Sequence, residues 1–190
     1  MLMASTNNNI SSGLNLTSDF FLKNFYKYNR NAIKTSVRDD YTKPELSYED
    51  SRALKHAAAK LASFEYTEDE NGPNIVSTIQ AFVKTYNNTI ESTSSDSYDT
   101  YRQNRQLKAL TKKYGDDLKD IGISIENDGT LSVSDNILKG SSFKEIHKVF
   151  SDESDYVRNI RTIAKRMNSS SCDEIYAQMT GSGGRLNIVL

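Results

Sequence analysis

Three side chains in this sequence belong to types that commonly do chemistry: His56, His147 and Cys172. A zinc site draws three or four ligands from His, Cys, Asp and Glu at close spacing. Neither histidine is flanked by Cys, Asp or Glu at such a spacing, and each falls in the middle of a predicted helix. A solvated or partly packed imidazole is the expectation for both. Cys172 stands one residue past a predicted helix N-cap, where a helix dipole lowers a thiol's pKa. It has no histidine near it in sequence and no second cysteine to pair with. The expectation is a small hydrophobe on an apolar face with Ile175 and Met179.

Other patterns fall short of a reaction. Gly181-Ser182-Gly183-Gly184 lacks the Lys-Ser/Thr ending of a phosphate loop and has no room for a following helix. Asp69-Glu70-Asn71-Gly72 and Glu126-Asn127-Asp128-Gly129 resemble pieces of calcium loops, but neither has a correctly placed closing Glu. Both read as turns. Asp39-Asp40 and Asp116-Asp117 are adjacent pairs, and neighbours in sequence do not converge on one helix face. They make poor general acid–base partners. The sequence therefore predicts no catalytic residue, no metal site and no cofactor: the chain is not expected to be an enzyme.

One charge feature remains. Arg102, Arg105, Lys108, Lys112 and Lys113 follow one another with no acid among them. Arg102, Arg105 and Lys112 can share one helix face, and Tyr98, Tyr101 and Tyr114 stand beside them. Tyrosine and arginine are the side chains that most often dominate protein–protein binding energy. Tyr98, Tyr101, Arg102, Arg105, Lys112 and Tyr114 are thus the candidate partner-binding residues. The same cluster is a weak nucleic-acid footprint, since the chain carries 24 Lys and Arg against 25 Asp and Glu.

Helices must position these residues. The periodicity predicts six main helices and one hairpin. The first starts near Ser18, with Phe21, Phe25, Tyr28 and Ala32 on one face. Asp39-Asp40 to Pro44 reads as a linker. The second opens at a Ser47/Asp50 capping box and buries Leu54, Ala57, Ala58, Leu61 and Phe64. The third begins with Pro73 in its first turn and runs through Ile75, Val76, Ile79, Phe82, Val83, Tyr86 and Ile90. The fourth spans about 98–114, with Gly115 as its C-cap. The period then changes: Ile121, Ile123 and Ile125 alternate, and Leu131 and Val133 alternate after Asp128-Gly129, which predicts a hairpin at about 121–133. Ser142 and Glu145 form a capping box before Ile146, Val149 and Phe150. A long helix follows with Tyr156, Val157, Ile160, Ile163, Ala164 and Met167. A further capping box, Ser171 to Glu174, is expected to open another helix. The fold class is mainly α: an antiparallel helical bundle with one small β-hairpin. Residues 1–15 read as a disordered Asn/Ser-rich tail, 16–180 as a single helical domain, and 181–190 as a flexible tail or strand.

Composition bounds the class. At 190 residues the chain can bury a core without disulfides, and its one cysteine excludes a disulfide-stapled scaffold. A mean hydropathy of -0.64 requires a strongly polar surface. No run approaches the roughly 18 apolar residues of a membrane span. Met1 to Ser11 has neither a basic nor an apolar signal region, so no secretory signal peptide is expected.

Several phrases occur in a specific order. Ile79-Gln80-Ala81-Phe82-Val83-Lys84-Thr85-Tyr86-Asn87 comes first, then Asp117-Leu118-Lys119-Asp120-Ile121-Gly122-Ile123-Ser124, Asp128-Gly129-Thr130-Leu131, Ser134 to Leu138, and Val149-Phe150. Together they resemble the C-terminal region of the bacterial flagellar filament cap protein, hook-associated protein two. Ser12-Gly13-Leu14-Asn15 is similar to that family's opening phrase. The resemblance covers Ile75 to about Met167. Cap proteins are much longer, with outer domains between their helical parts and a long terminal coiled-coil helix. Here Pro44 to Tyr86 runs directly into the core, so the resemblance implies a reduced form of the inner helical domain. It further implies a non-enzymatic structural protein that binds flagellin-like or self partners through helix faces, without a cofactor, outside the cell at the flagellum. The alternative is a cytoplasmic helical adaptor, chaperone-like or weakly binding nucleic acid through residues 102–113. Oligomers are possible in either case, and no membrane partner is expected.

Overall fold

Thr42, rather than Ser47, opens the first described helix. Its backbone N–H and its hydroxyl both donate to Glu45 Oε2 at 2.8 Å. Pro44 therefore lies in the first turn, where its missing N–H costs nothing, and does not mark a linker. The Ser47/Asp50 pair is free of capping duty because the helix already runs past it. Ser47 Oγ instead donates to the Ser92 carbonyl at 3.0 Å. Asp50, fully buried, receives both Arg38 guanidinium nitrogens at 2.7 and 2.8 Å.

The structure, a computed structural model, describes Arg38 and residues 41–64, 72–95 and 97–180. The predicted first helix, the predicted Glu68 to Gly72 turn apart from Gly72 (which opens the second described helix), the Asp39-Asp40 pair and both terminal segments lie outside the described residues. The elements run α1 (Lys43–Ala62), α2 (Gly72–Ser92), α3 (Tyr98–Lys113), α4 (Gly115–Asp120), β1 (Ile123–Ile125), β2 (Leu131–Val133), α5 (Asp135–Gly140), α6 (Phe143–Phe150) and α7 (Asp155–Thr180). The fold is mainly helical with one two-stranded antiparallel sheet.

α1 packs against both α2 and α7, and α7 packs against α3. Side-chain bonds give the directions. Ser47 meets Ser92 while Thr89 Oγ1 donates to the Asp50 carbonyl at 3.1 Å, so α1 and α2 are antiparallel. Gln103 Nε2 donates to Ser170 Oγ at 3.1 Å while Thr111 meets the Tyr156 hydroxyl, so α3 and α7 are antiparallel too.

The core changes character along the bundle. Around the hairpin it is apolar: Phe82, Phe150 and Tyr156 are fully buried, with Phe82 set edge-on to Phe150 at 5.4 Å. Such a ring pair contributes about 0.5–1.5 kcal/mol beyond the area it buries. At the other end buried hydroxyls and amides, those of Ser47, Thr89, Thr93, Thr100, Gln103 and Asn104, join buried apolar side chains such as Ile90. Asn104 Nδ2 donates to the Ile90 carbonyl at 2.8 Å and to Thr93 Oγ1 at 2.7 Å. Bonds of this kind offset the cost of burying most of these groups, although Gln103 Oε1 is buried without a partner.

The hairpin pairs Ile123 with Val133, Ser124 with Ser132 and Ile125 with Leu131. Glu126 N–H donates to the Thr130 carbonyl at 2.8 Å, leaving three residues in the loop. Gly129 there has φ +87, the left-handed position such a loop requires. Ile121 and Ile123 are fully buried, but Ile121 caps α4, so the first strand begins at Ile123 rather than at 121 as the alternation predicts.

Two other expectations change. Gly115 does not end α3 in a left-handed conformation. Tyr114 is the C-cap and Gly115 starts the short helix α4. The Ser171 capping box does not form, because α7 is continuous through Ser171 to Thr180. In an unbroken helix the N–H groups of residues 171–174 have carbonyls four residues back and need no cap. Ser171 is fully buried instead, beside the Gln103–Ser170 bond.

Candidate protein-binding face

Ser97 sets the start of α3: its hydroxyl accepts from the Thr100 N–H at 3.3 Å. The helix then buries Thr100, Gln103, Asn104, Leu107 and Thr111. At 3.6 residues per turn, these positions fix the opposite stripe as the outer face. That stripe holds Tyr98, Tyr101, Arg102, Arg105, Gln106 and Ala109, which line a shallow groove of about 320 Å³. Ala109 leaves room at the floor of one end, and the two tyrosines stand at the other.

Exposure separates this face from an ordinary solvated one. Tyr98 is 79% exposed and Tyr101 47%, among the few large hydrophobic side chains left open in the described residues. Exposed aromatic rings beside arginines make a surface that gains by being covered. Arg102 stands 3.7 Å from Asp99, but both are well exposed and such a pair contributes little. Arg105 has no ion pair among the described residues, so its guanidinium is available to a carboxylate.

The six sequence candidates thus divide. Tyr98, Tyr101, Arg102 and Arg105 come together in the groove. Lys112 is exposed and continues the same stripe one turn on, outside the groove. Tyr114 points elsewhere. It is half-buried, its ring packs on Tyr156 at a centroid distance of 5.1 Å, and Lys113 Nζ lies 5.5 Å above it. Its place is the edge of the core. Sixteen residues after Tyr98 is nearly half a turn away on the helix, so its side of α3 could be read from spacing alone. Gln106 and Ala109 also line the groove and have no signal of their own except that same spacing.

No family model, characterised protein or solved structure matches this chain. The reading of its surface therefore rests on its own geometry.

The residues that could do chemistry are dispersed. His56 is on the exposed side of α1, where desolvation, then the charges of Lys55 and Arg52, hold its imidazole below the usual range. His147 is exposed on α6. Cys172 is exposed in the interior of α7, neither at a helix start nor on the apolar face as expected. The side chain of Met179, its expected neighbour, lies outside the described residues. Among the described residues no group of three or more His, Cys, Asp and Glu could hold a metal ion. The Asp128 carboxylate, a calcium-loop fragment by sequence, is occupied within the hairpin. Its Oδ1 accepts from the Thr130 hydroxyl at 2.6 Å and the Thr130 N–H at 2.9 Å. These bonds hold its carboxyl below the ordinary range. No helix of the described residues is long and apolar enough to cross a membrane.

Proposed function

We propose that this chain is a non-enzymatic protein-binding subunit, of the kind that builds the flagellar filament cap, and that it docks partners on the outer face of α3. The observation that carries this reading is the exposed Tyr98–Tyr101 pair flanked by Arg102 and Arg105 on one stripe of a rigid helix. Rigid aromatic anchors with an arginine beside them are the usual centre of a binding surface. The hairpin adds support for the cap-like part. The phrases that carry the resemblance fall on α2, α4, the hairpin, α5 and α6, and two of them touch directly. Asn87, from the Tyr-Asn pair, bonds Leu131, from the Gly-Thr-Leu phrase, in both directions at 2.8 Å.

The test is where the native protein goes. Culture supernatant, sheared filaments and cytosol are compared in hosts with and without a working flagellar export apparatus. Export-dependent appearance at the filament supports a cap-like subunit. Retention in the cytosol of both hosts sinks that role and leaves an intracellular adaptor. In either location, Tyr98→Ala with Arg105→Ala should weaken partner binding at least tenfold while leaving the fold intact, because both side chains are exposed.

A further inference from the structure

Tyr98, Tyr101, Arg105, Ala109 and Lys112 follow one another on α3 at steps of three, four, four and three. Eleven residues make close to three turns of a straight helix, so Ala109 returns to the side of Tyr98. The five side chains form a straight seam about 21 Å long, at a rise of about 1.5 Å per residue. All five are exposed. Tyr98, Tyr101 and Ala109 are its apolar members, and Arg105 and Lys112 are its cations. Arg102 and Gln106 border the seam on one side.

That border extends onto the next helix. α7 packs against α3, and Gln103 bonds Ser170 across the contact. Arg166 stands one turn before Ser170, on the α3 side of α7, and is exposed. Arg105, Lys112 and Arg166 form no ion pair within the described residues. Asp99 is the one acid of α3, and it already faces Arg102 at 3.7 Å. From Tyr156 to Ser171 α7 has no acid.

These features select both the shape and the charge of an occupant. A helix face offers no free backbone edge, so an extended strand has nothing to pair with. A straight seam of flat and small side chains fits another helix, laid along it with its own apolar residues on Tyr98, Tyr101 and Ala109. The small side chain of Ala109 lets the two backbones approach at one end. Charges flanking an apolar seam decide which helices pair, since opposite charges attract and like charges exclude. Here the unpaired flanking charges are all cations. Nucleic acid fits less well, because phosphates follow a continuous basic track and this seam is interrupted by an alanine floor.

We propose that the outer face of α3 takes an amphipathic helix of another protein, about four turns long, whose apolar stripe is flanked by Glu and Asp. This rests on the reading of that face as the binding surface and adds the chemistry of the partner. The flanking charges are exposed and screened over about 10 Å at 0.1 M salt, so the preference for acid fades as salt rises.

The experiment titrates the isotope-labelled full chain with three synthetic peptides and follows its amide spectrum by NMR. Each peptide is about four turns long and is stapled on its far side, so that it is helical before it binds. All three carry the same Leu/Ala stripe, flanked by Glu, by Gln or by Lys. At low salt the Glu-flanked peptide should shift the amides of α3 and bind at least about tenfold more tightly than the Gln-flanked one. High salt should remove that advantage, and the Lys-flanked peptide should not bind. Arg105→Glu with Lys112→Glu should invert the order, making the Lys-flanked peptide the tightest. Tyr98→Ala with Tyr101→Ala should weaken the Glu-flanked peptide by removing its anchors. All four positions are exposed, and circular dichroism checks that each variant keeps its helices. Equal binding of the Glu- and Lys-flanked peptides overturns the proposal, as do shifts that fall away from α3 or a titration in which none of the three binds. Shifts of the same amides by single-stranded DNA, with no peptide bound, would assign the face to nucleic acid instead. If no peptide binds yet the native partner is still lost on Tyr98→Ala/Arg105→Ala substitution, the binding-face reading stands and only the acidic helix falls.

Discussion

Asn87 holds Leu131 as an adjacent β-strand would. Its Nδ2 donates to the Leu131 carbonyl at 2.8 Å, and its Oδ1 accepts from the Leu131 N–H at 2.8 Å. One amide side chain on α2 thereby satisfies the edge of β2 that β1 does not reach, and docks the hairpin on the bundle.

Replacing Asn87 tests that docking. Asn87→Ala strips both partners from a buried strand residue and should cost about 2–6 kcal/mol, at roughly 1–3 for each group left unsatisfied. Asn87→Asp keeps the acceptor but loses the donor, so it should fall between wild type and Ala. Urea denaturation measures all three. Equal stability of wild type and Asn87→Ala would mean that the hairpin is held by its apolar face alone.

Two glycines make a matched pair. Gly122 has φ +82, and a Cβ there would meet Ile137 Cβ at 2.8 Å and the Leu138 backbone nitrogen at 3.0 Å. Gly122→Ala combines strain with a clash and should cost more than about 2 kcal/mol. Gly140, at the end of α5, has open space where a Cβ would go. Gly140→Ala should be neutral or stabilise by up to about 1 kcal/mol. Thermal melts that rank the two the other way would contradict the conformation drawn for the segment after α4.

Acid should loosen the chain for identifiable reasons. The Ser142 N–H, then its hydroxyl, hold the Glu145 carboxyl below its usual range. Thr130 does the same for Asp128, and Arg158 for Asp155. A carboxyl depressed in the folded state gives stability that is present above its unfolded pKa and lost as pH falls through its folded one. The melting temperature should therefore be flat near neutrality and fall on acidification below the ordinary carboxylate range, about 4. Glu145→Gln can still accept from the Ser142 N–H but no longer titrates, so its acid limb should be shallower. Identical limbs in the variant and wild type would rule out the capping box as a contributor.

Tyr86 gives an unusual expectation. It is fully buried on α2, burial pushes its phenol up to about 12, and its hydroxyl makes no hydrogen bond of good geometry. Thr111 lies near it but makes only a poorly aligned contact, and removing a buried polar group so weakly held is close to neutral. Tyr86→Phe should leave stability unchanged or raise it by up to about 1 kcal/mol. A loss larger than that would reveal a partner for the hydroxyl.

Much of this fold was legible where local and tertiary demands agree. Ile75, Ile79, Phe82, Tyr86 and Ile90 repeat at helical spacing and are all buried on α2. The Ser142/Glu145 box opens α6 as its pattern predicts. The hairpin sits where the alternation places it. Misreadings arose where one local pattern had two possible outcomes. Thr42/Glu45 and Ser47/Asp50 both look like helix starts, and the earlier one wins because Ser47 and Asp50 are needed for Ser92 and Arg38. Ser171 to Glu174 looks like another start, yet packing along α3 carries α7 straight through it. The groove residues were half legible: Tyr98, Tyr101, Arg102 and Arg105 by residue type, Gln106 and Ala109 only once the buried side of α3 is known. Asn87 carried no sequence mark of its role, since its partner lies 44 residues away.

The graded core has a consequence in time. At the end where Ser47, Thr89, Thr93 and Asn104 meet, part of what is exposed when the helices part is polar, and water replaces those hydrogen bonds almost evenly. At the end of Phe82, Phe150 and Tyr156, parting exposes aromatic rings at full cost. The molecule should therefore breathe like a hinge with its pin at the hairpin. Amide protons near Ser47, Ser92 and Ser170 would exchange in brief partial openings, while those around Phe82 and Tyr156 would wait for the whole chain to unfold.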